Sequence, residues 1–155
     1  MRRGTFETVA SLVHRRRDEP ALRELSRRLS FNVLIRNADA HLKNWSLLYR
    51  DPRVPTLSPA YDLACTGVHE GIDQDLGLSL GGSKRFATVT LATFGALQRR
   101  LDVDLAGPSL REDAEQVIAR ALAAWPEIQE SLRETPLAAS IDAVGQVVVR
   151  YEARD

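Results

Sequence analysis

The sequence is short of several features that mark whole classes of protein. It has a single cysteine, Cys65, among 155 residues, which excludes an internal disulfide and fits a reducing compartment. No apolar run approaches the ~20 residues that a membrane-spanning helix needs. The first ten residues, MRRGTFETVA, lack the apolar core of a signal peptide. These absences favour a cytoplasmic protein that has no membrane partner.

Net charge is also missing, because 21 Lys and Arg balance 21 Asp and Glu. Electrostatics alone therefore give no reason to expect direct contact with nucleic acid, and we expect none. The balance is uneven along the chain, since residues 1–36 hold nine Lys and Arg against four Asp and Glu. A polarity of this kind can serve packing within the molecule.

What is present suits one folded domain over residues 1–155. An apolar fraction of 44% and a charged fraction of 27% are ordinary for a globular protein, and the chain is long enough to bury a core. Near the front, apolar residues recur at helical spacing and predict two helices. The first covers 5–16, with Phe6, Val9, Leu12 and Val13 on one face, and the second covers 20–35, with Leu22, Leu25, Leu29 and Val33.

The rest of the chain predicts a small β element followed by more helices. WSLLY at 45–49 is short, aromatic and apolar and predicts a strand, and the prolines of 51–59 predict a loop. DLGLSLGGSKRFATV at 75–89 predicts short strands around a Gly-Gly turn. Helices are predicted over 90–101, over 108–125 with a Ser109–Glu112 capping box and an end disturbed by Pro126, and over 135–153 with Thr135 as N-cap. The predicted fold class is mainly α with a small β element.

A cluster of polar residues follows the second predicted helix. The segment NADAHLKN, 37–44, holds Asp39 and Asn44 five positions apart, and Asp62 follows after the predicted strand. Protein kinases use this spacing in their catalytic loop, where the Asp serves the substrate hydroxyl and the Asn binds Mg²⁺. Mg²⁺ prefers oxygen ligands and takes one or two carboxylates together with phosphate oxygens and water. The pattern predicts a phosphoryl-transfer site.

Plainer interpretations stay open for the same residues. The D-x-x-x-x-N spacing arises by chance in many chains, and Asp39 and Asn44 could cap a turn between helix and strand. Asp62 could be a turn residue after Pro59. Cys65 and His69 have a C-x₃-H spacing, but no second pair of ligands accompanies them, which argues against zinc.

Three segments together carry a family resemblance: FNVLIRNADAHLKNWSLLY at 31–49, LSPAYDLACT at 57–66 and LSLGGSKRFATVTLATF at 78–94. They resemble the C-terminal lobe of HipA-family serine/threonine kinases, the toxins of bacterial HipA/HipB toxin–antitoxin pairs. NADAHLKN matches the family's N-x-D-x-H-x-x-N loop and is similar to the loop of phosphatidylinositol-3-kinase-like enzymes. SPAYDL matches the family's metal-binding Asp segment. The resemblance covers residues 5–105 and, more loosely, the helical tail.

The resemblance implies a protein-kinase-like fold and roles for single residues in it. Asp39 would be the catalytic base or the group that positions the hydroxyl, and Asn44 and Asp62 would hold the Mg²⁺ of Mg-ATP. His41 would organise the catalytic loop, with a phosphate contact as a further role. Lys43 would lie near phosphate as part of the nucleotide site, and Asn37 would shape the loop, since Asn tolerates unusual backbone angles.

The resemblance also implies partners, and the sequence departs from the family in one respect. The substrate would be a protein hydroxyl, and an aminoacyl-tRNA synthetase can be that substrate in the family. No G-x-G-x-x-G segment and no V-A-I-K-like strand is present, and LGGSK at 80–84 follows Asp62 and suits a hairpin turn. We therefore expect the N-terminal ATP-clamping lobe to be absent from this chain and its kinase activity alone to be weak or nil.

Two hypotheses follow from that departure. In the first, the chain is an enzyme, a HipA-like serine/threonine kinase C-lobe that uses Mg-ATP to phosphorylate a protein substrate. In the second, it is a catalytically incomplete remnant that acts as a protein-binding module, docking on an N-lobe protein or on a HipB-like antitoxin. Unpaired apolar surface is expected where the missing lobe would sit.

Overall fold

In the residues that the computed structural model describes, 4–15, 17–69, 71 and 75–149, the chain forms five α-helices and four short strands. The helices are α1 Phe6–His14, α2 Glu19–Leu34, α3 Leu91–Leu101, α4 Leu110–Leu132 and α5 Ala138–Val149. The strands are β1 Leu47–Asp51, β2 Val54–Leu57, β3 Asp75–Leu80 and β4 Ser83–Arg85. The prediction of a mainly α fold with a small β element is confirmed.

Helix α2 lies at the centre of the core. The carboxylate of Asp18 caps its start by accepting the N–H of Ala21 at 3.0 Å, and Pro20 occupies the first turn, where its missing N–H has no intrahelical partner to lose. Helix α4 packs along α2, α3 packs on α4, and α1 packs on α2. The predicted apolar face of α2 is confirmed, because all four of its residues are at most 2% exposed: Leu22, Leu25, Leu29 and Val33.

A buried carboxylate joins α2 to α4. Asp113 is fully buried, and its Oδ2 accepts from Arg23 Nε at 2.8 Å while its Oδ1 accepts from Arg27 Nη2 at 2.8 Å. Burial by itself raises the pKa of Asp113, but the hydrogen bonds from the two guanidinium groups outweigh it, so the pKa lies below its usual value. The charged form is therefore the stable one, and it ties the two helices together.

The start of α4 has the capping box that the sequence predicts. The N–H of Glu112 donates to Ser109 Oγ at 3.2 Å, and the N–H of Ser109 donates to Glu112 Oε2 at 2.7 Å. These contacts satisfy backbone N–H groups that have no partner inside the helix.

Two antiparallel hairpins lie between α2 and α3. In the first, Leu47 of β1 pairs with Leu57 of β2. In the second, β3 and β4 are joined by Gly81 and Gly82, whose φ angles of +61° and +83° lie in the left-handed region that glycine adopts without strain. The interpretation of LGGSK as a hairpin turn is confirmed.

The prediction of a loop over residues 51–59 is wrong, because β2 lies within that range. The prolines suggested a loop, but a two-stranded sheet leaves one edge of each strand unpaired, so Pro55 can lie in β2 without breaking a ladder. The strand predicted at 45–49 is found, and it begins at Leu47.

Three details of the predicted helices also differ. Leu12 is 45% exposed, and Ala10 takes its place on the buried face of α1. Helix α4 continues through Pro126 to Leu132, because its C-terminal part packs against α5 and one missing N–H does not end it. The last helix begins at Ala138, and Thr135 lies in the preceding turn, where its hydroxyl accepts the N–H of Leu137. Residues 150–153 of that prediction lie outside the described residues.

Among the helices of the described residues, none combines the length and the apolarity that crossing a membrane requires.

Candidate active site

The loop that holds the predicted catalytic residues begins with a sharp turn at the end of α2. The N–H of Asn37 donates to the carbonyl of Asn32 at 2.8 Å, and the N–H of Arg36 donates to that of Val33 at 3.1 Å. This pair of hydrogen bonds is typical of a helix end at which the residue directly after the C-cap, here Arg36, adopts a left-handed conformation. Arg36 has φ of +49°, although glycine is the usual residue there. The turn leads the chain off the helix axis and into the loop 37–44.

Asn37 is the centre of the loop's hydrogen bonding. Its side chain is fully buried, and its Nδ2 donates to Asn32 Oδ1 at 2.7 Å and to the carbonyl of Asp62 at 3.1 Å. Its Oδ1 accepts the N–H of Asp39 at 3.1 Å. One amide therefore joins the end of α2 to the two segments that carry the predicted acids.

Asp39 and His41 lie together at the surface. The Asp39 carboxylate is 57% exposed, and its Oδ1 is 3.2 Å from His41 Nε2. His41 Nδ1 is buried without a hydrogen-bond partner, so Nε2 is the ring nitrogen that carries the contact. The imidazole thus restrains a carboxylate that still faces solvent, where a substrate hydroxyl could reach it.

Asn44 ends a short 3₁₀ turn, Leu42–Asn44, and closes the loop. Its Nδ2 donates to the carbonyl of Asp39 at 2.8 Å, and its Oδ1 has no hydrogen-bond partner among the described residues. The neighbouring Lys43 is exposed, and its ammonium group bonds to no other described residue. The structure therefore brings Asn44 to Asp39 but does not bring the Lys43 side chain into the cluster.

Asp62 approaches from the segment that follows β2. It has φ of +55°, and its carbonyl is held by Asn37. Its carboxylate is exposed and pairs with no other described residue. Asn44 and Asp62 line the same small cleft, which Arg28, Asn37 and Tyr61 also line.

The oxygens in this cleft fit a hard divalent cation. An amide oxygen from Asn44 and a carboxylate from Asp62 are the ligand types that Mg²⁺ takes from protein, with phosphate oxygens and water filling the remaining positions. Among the described residues, no group of three or more His, Cys, Asp or Glu is placed to hold a metal ion, so the C-x₃-H pair is not part of such a cluster. The roles of Asn44 and Asp62 as metal ligands remain predictions.

The loop is also supported by residues that the sequence did not single out. Thr66 Oγ1 donates to the carbonyl of Arg36 and accepts the N–H of Ala38, both at 2.8 Å. A Cβ on Gly67 would lie 2.9 Å from the Cβ of Arg36, so only glycine fits that approach. No local pattern could have revealed Thr66, because its partners are about thirty residues earlier in the chain.

Gly77 is a further support, and here the sequence did carry a signal. A Cβ on Gly77 would lie 2.7 Å from the backbone nitrogen of His41 and 2.8 Å from the carbonyl carbon of Ala40. Strand β3 can therefore lie against the loop only with glycine at this position. A glycine inside a predicted strand is a known mark of close backbone approach.

Cys65 lies beside this cluster but is not an activated thiol. Burial raises the pKa of its thiol, and the backbone N–H groups of Gly67 and Val68 only partly offset that rise. A nucleophilic cysteine needs the opposite shift. The direction of this pKa shift argues against Cys65 as a nucleophile.

Comparison with known proteins places this loop in a family. The model of the HipA-like C-terminal domain matches residues 1–126, which include both the loop 37–44 and Asp62. The chain belongs to the HipA-like C-terminal domain family. The family resemblance seen in the sequence is thereby confirmed.

Two curated relatives of this HipA-like chain come from Sinorhizobium fredii (strain NBRC 101917 / NGR234). The protein named "Putative kinase Y4dM" is 30% identical over 139 residues, which are 90% of this chain and 33% of the relative. The protein named "Putative kinase Y4mE" is 36% identical over 94 residues, 59% of this chain and 21% of the relative. The chain thus spans a third or less of the length of these relatives.

A solved structure shows the same fold. The HipA of Shewanella oneidensis MR-1, determined in a complex of HipA, HipB and operator DNA, superposes with a TM-score of 0.66 at 22% identity. The match covers 95% of this chain and 35% of that one. The predicted HipA-like C-lobe fold is confirmed. That complex contains DNA, so the expectation of no contact with nucleic acid gains no support from it and stays untested.

Proposed function

We propose that this chain is the C-terminal lobe of a HipA-like serine/threonine protein kinase, which transfers a phosphoryl group from Mg-ATP to a protein hydroxyl. The observation that carries the proposal is the meeting of two segments at Asn37, which bonds to the N–H of Asp39 and the carbonyl of Asp62. Family membership and the kinase names of the relatives support the same reaction class.

Phosphoryl transfer depends mainly on positioning and on charge, and the cluster can serve both needs. Asp39, exposed and restrained by His41, would orient the substrate hydroxyl and accept its proton as the oxygen bonds to the γ-phosphorus and the bond to ADP breaks. Asn44 and Asp62 would hold the metal that accompanies ATP, whose charge offsets that of the phosphates. The Lys43 ammonium, which bonds to no other described residue, would be available to contact a phosphate oxygen.

A second lobe would complete the nucleotide site. The relatives are about three times as long as the matched region, and a kinase normally grips ATP between two lobes. We propose that a separate N-lobe, on this protein or on another, closes over the cleft of Asn44 and Asp62. The lobe described here would then transfer phosphate slowly by itself, and we place the reaction in the cytoplasm.

The proposed setting is a toxin–antitoxin pair. The Shewanella oneidensis HipA was solved with HipB and operator DNA, which supports a HipB-like antitoxin as a protein partner of this chain. The substrate class would be a folded protein with an accessible serine or threonine.

A transfer assay with labelled ATP tests the role of Asp39. Asp39→Asn is expected to lower the slow Mg-ATP transfer rate of the chain by about a hundredfold or more, because the amide cannot accept the hydroxyl proton. Thermal unfolding should stay close to wild type, since the side chain is exposed. Asp104→Asn, which changes an exposed aspartate without a described partner, is the matched control. A wild-type rate in Asp39→Asn would remove the assignment.

A protein-binding module remains the second candidate, and one observation favours it. Three large apolar side chains of the β1–β2 hairpin are exposed: Leu48 by 37%, Tyr49 by 62% and Val54 by 48%. An apolar patch of this kind commonly marks a contact with another protein surface. If the chain neither binds Mg-ATP nor transfers phosphate while it still folds, docking becomes the better account of its function.

A further inference from the structure

The tyrosine before Asp62 makes two contacts that the proposed reaction does not by itself require. The hydroxyl of Tyr61 donates to the carbonyl of Lys43 at 2.8 Å. The same oxygen lies 2.6 Å from Ser46 Oγ. Because the only hydroxyl hydrogen of Tyr61 goes to the carbonyl, Ser46 is the donor in the second bond.

The positions of these contacts are informative. Tyr61 is covalently next to Asp62, and its two partners, Lys43 and Ser46, stand on either side of Asn44. Between Ser46 and Tyr61 the chain runs out through the β1–β2 hairpin and back, so the short path between the two segments is through space. The Tyr61 hydroxyl therefore bridges the segment of one proposed metal ligand to the segment of the other.

Other contacts also join these segments, but on another side. Asn37 reaches the carbonyl of Asp62 from the buried interior, and Ser58 N–H donates to the carbonyl of Ser46 at the base of the hairpin. Tyr61 is 41% exposed, and its hydroxyl bonds are at the surface. A phenylalanine at this position would give the same packing of the ring but neither hydrogen bond. The hydroxyl of Tyr61 therefore needs a separate explanation.

We propose that Tyr61 is a positioning residue whose hydroxyl sets the spacing between Asn44 and Asp62. The proposal rests on the proposed function for the meaning of that spacing, because two ligands of one Mg²⁺ must lie at a defined distance from each other. The Tyr61 hydroxyl would act through the backbone of Lys43 and through the neighbouring Asp62, with no contact of its own to the reacting atoms.

Hydrogen–deuterium exchange of the metal-free chain tests the bridge itself. Tyr61→Phe keeps the ring and removes only the hydroxyl. Because the variant loses hydrogen bonds at the surface, the amides of residues 38–46 and 59–66 should exchange about three- to tenfold faster. Ser46→Ala should produce a smaller rise in the same segments. Tyr49→Phe removes the hydroxyl of another exposed tyrosine and should change neither segment. Unchanged exchange in Tyr61→Phe would overturn the proposal.

The Mg²⁺ dependence of ATP binding separates positioning from simple structural support. The Mg²⁺ concentration for half-maximal ATP binding should rise about three- to tenfold in Tyr61→Phe while the Tm stays near that of Tyr49→Phe. Faster exchange with an unchanged Mg²⁺ midpoint would also overturn the positioning role. If the wild-type chain binds no Mg-ATP, the proposed function fails on that result alone, and the exchange data still decide whether the hydroxyl bridge exists.

Discussion

At the scale of single residues, Asn37 shows which features of the candidate site can be predicted from the sequence and which cannot. The motif identifies Asp39, Asn44 and Asp62 as the residues of interest, and it suggests that Asn37 shapes the loop. Its partner Asn32, five residues earlier, and its bond to Asp62, 25 residues later, depend on the three-dimensional path of the chain. A local pattern cannot predict these two contacts, because asparagine is common in turns whatever its side chain bonds to.

The buried amide of Asn37 predicts a stability effect. Asn37→Ala removes three hydrogen bonds, those to Asn32 Oδ1, to the carbonyl of Asp62 and from the N–H of Asp39. We therefore expect the free energy of unfolding to fall by about 2–3 kcal/mol in a urea titration. Asn37→Asp should not restore it, because a carboxylate cannot donate to Asn32. Gln116→Ala on the exposed side of α4 is the control and should stay within about 0.5 kcal/mol of wild type. Equal stability of Asn37→Ala and Gln116→Ala would refute the role of this amide.

At the scale of elements, the helices were predictable and one strand was not. Helical spacing identifies the core face of α2, and the Ser109–Glu112 pair identifies the start of α4, because both signals are local. Two predictions that were based on prolines, a loop over 51–59 and a helix end at Pro126, differ from the structure. Pro55 lies in β2, and Pro126 lies inside α4, where packing against α5 continues the helix.

The tie between α2 and α4 predicts a pH dependence. The pKa of Asp113 lies below its value of about 3.9 in an unfolded chain. Its charge therefore stabilises the fold at every pH above about 4, and that contribution is lost as the pH falls through the lower pKa of the folded state. At pH 7, Asp113→Asn should lower the free energy of unfolding by about 2–3 kcal/mol, less than for a fully enclosed pair because Arg27 is 43% exposed.

Urea titrations of wild type and Asp113→Asn from pH 8 to pH 3 check this dependence. The difference between the two proteins should be constant down to about pH 5 and shrink below about pH 4, where the carboxyl of the unfolded chain takes up a proton while that of the folded chain is still charged. Asp104→Asn, at an exposed aspartate, should show no such trend. A difference between wild type and Asp113→Asn that stays constant to pH 3 would show that the charge of Asp113 does not contribute.

At the scale of the whole molecule, the last helix supports the candidate site from a distance. The family model ends at residue 126, yet α5 packs against the turn Thr66–Val68, which carries the threonine that holds the loop. A Cβ on Gly67 would also lie 3.5 Å from a methyl group of Val147. The motifs were enough to reveal the family, because each of the three segments is contiguous in sequence. The support from α5 was not predictable, because it joins segments about seventy residues apart in the sequence.

The most direct test of the central claim is calorimetric titration of ATP into the purified chain, with and without Mg²⁺. Asp62→Ala removes one proposed metal ligand, and Asp104→Ala is the matched exposed control. With a metal site at Asn44 and Asp62, we expect ATP binding to require Mg²⁺. Asp62→Ala should lose this requirement together with most of the affinity for ATP, and Asp104→Ala should behave as wild type. ATP binding that is the same with and without Mg²⁺, or unchanged in Asp62→Ala, would contradict a phosphoryl-transfer site at this loop.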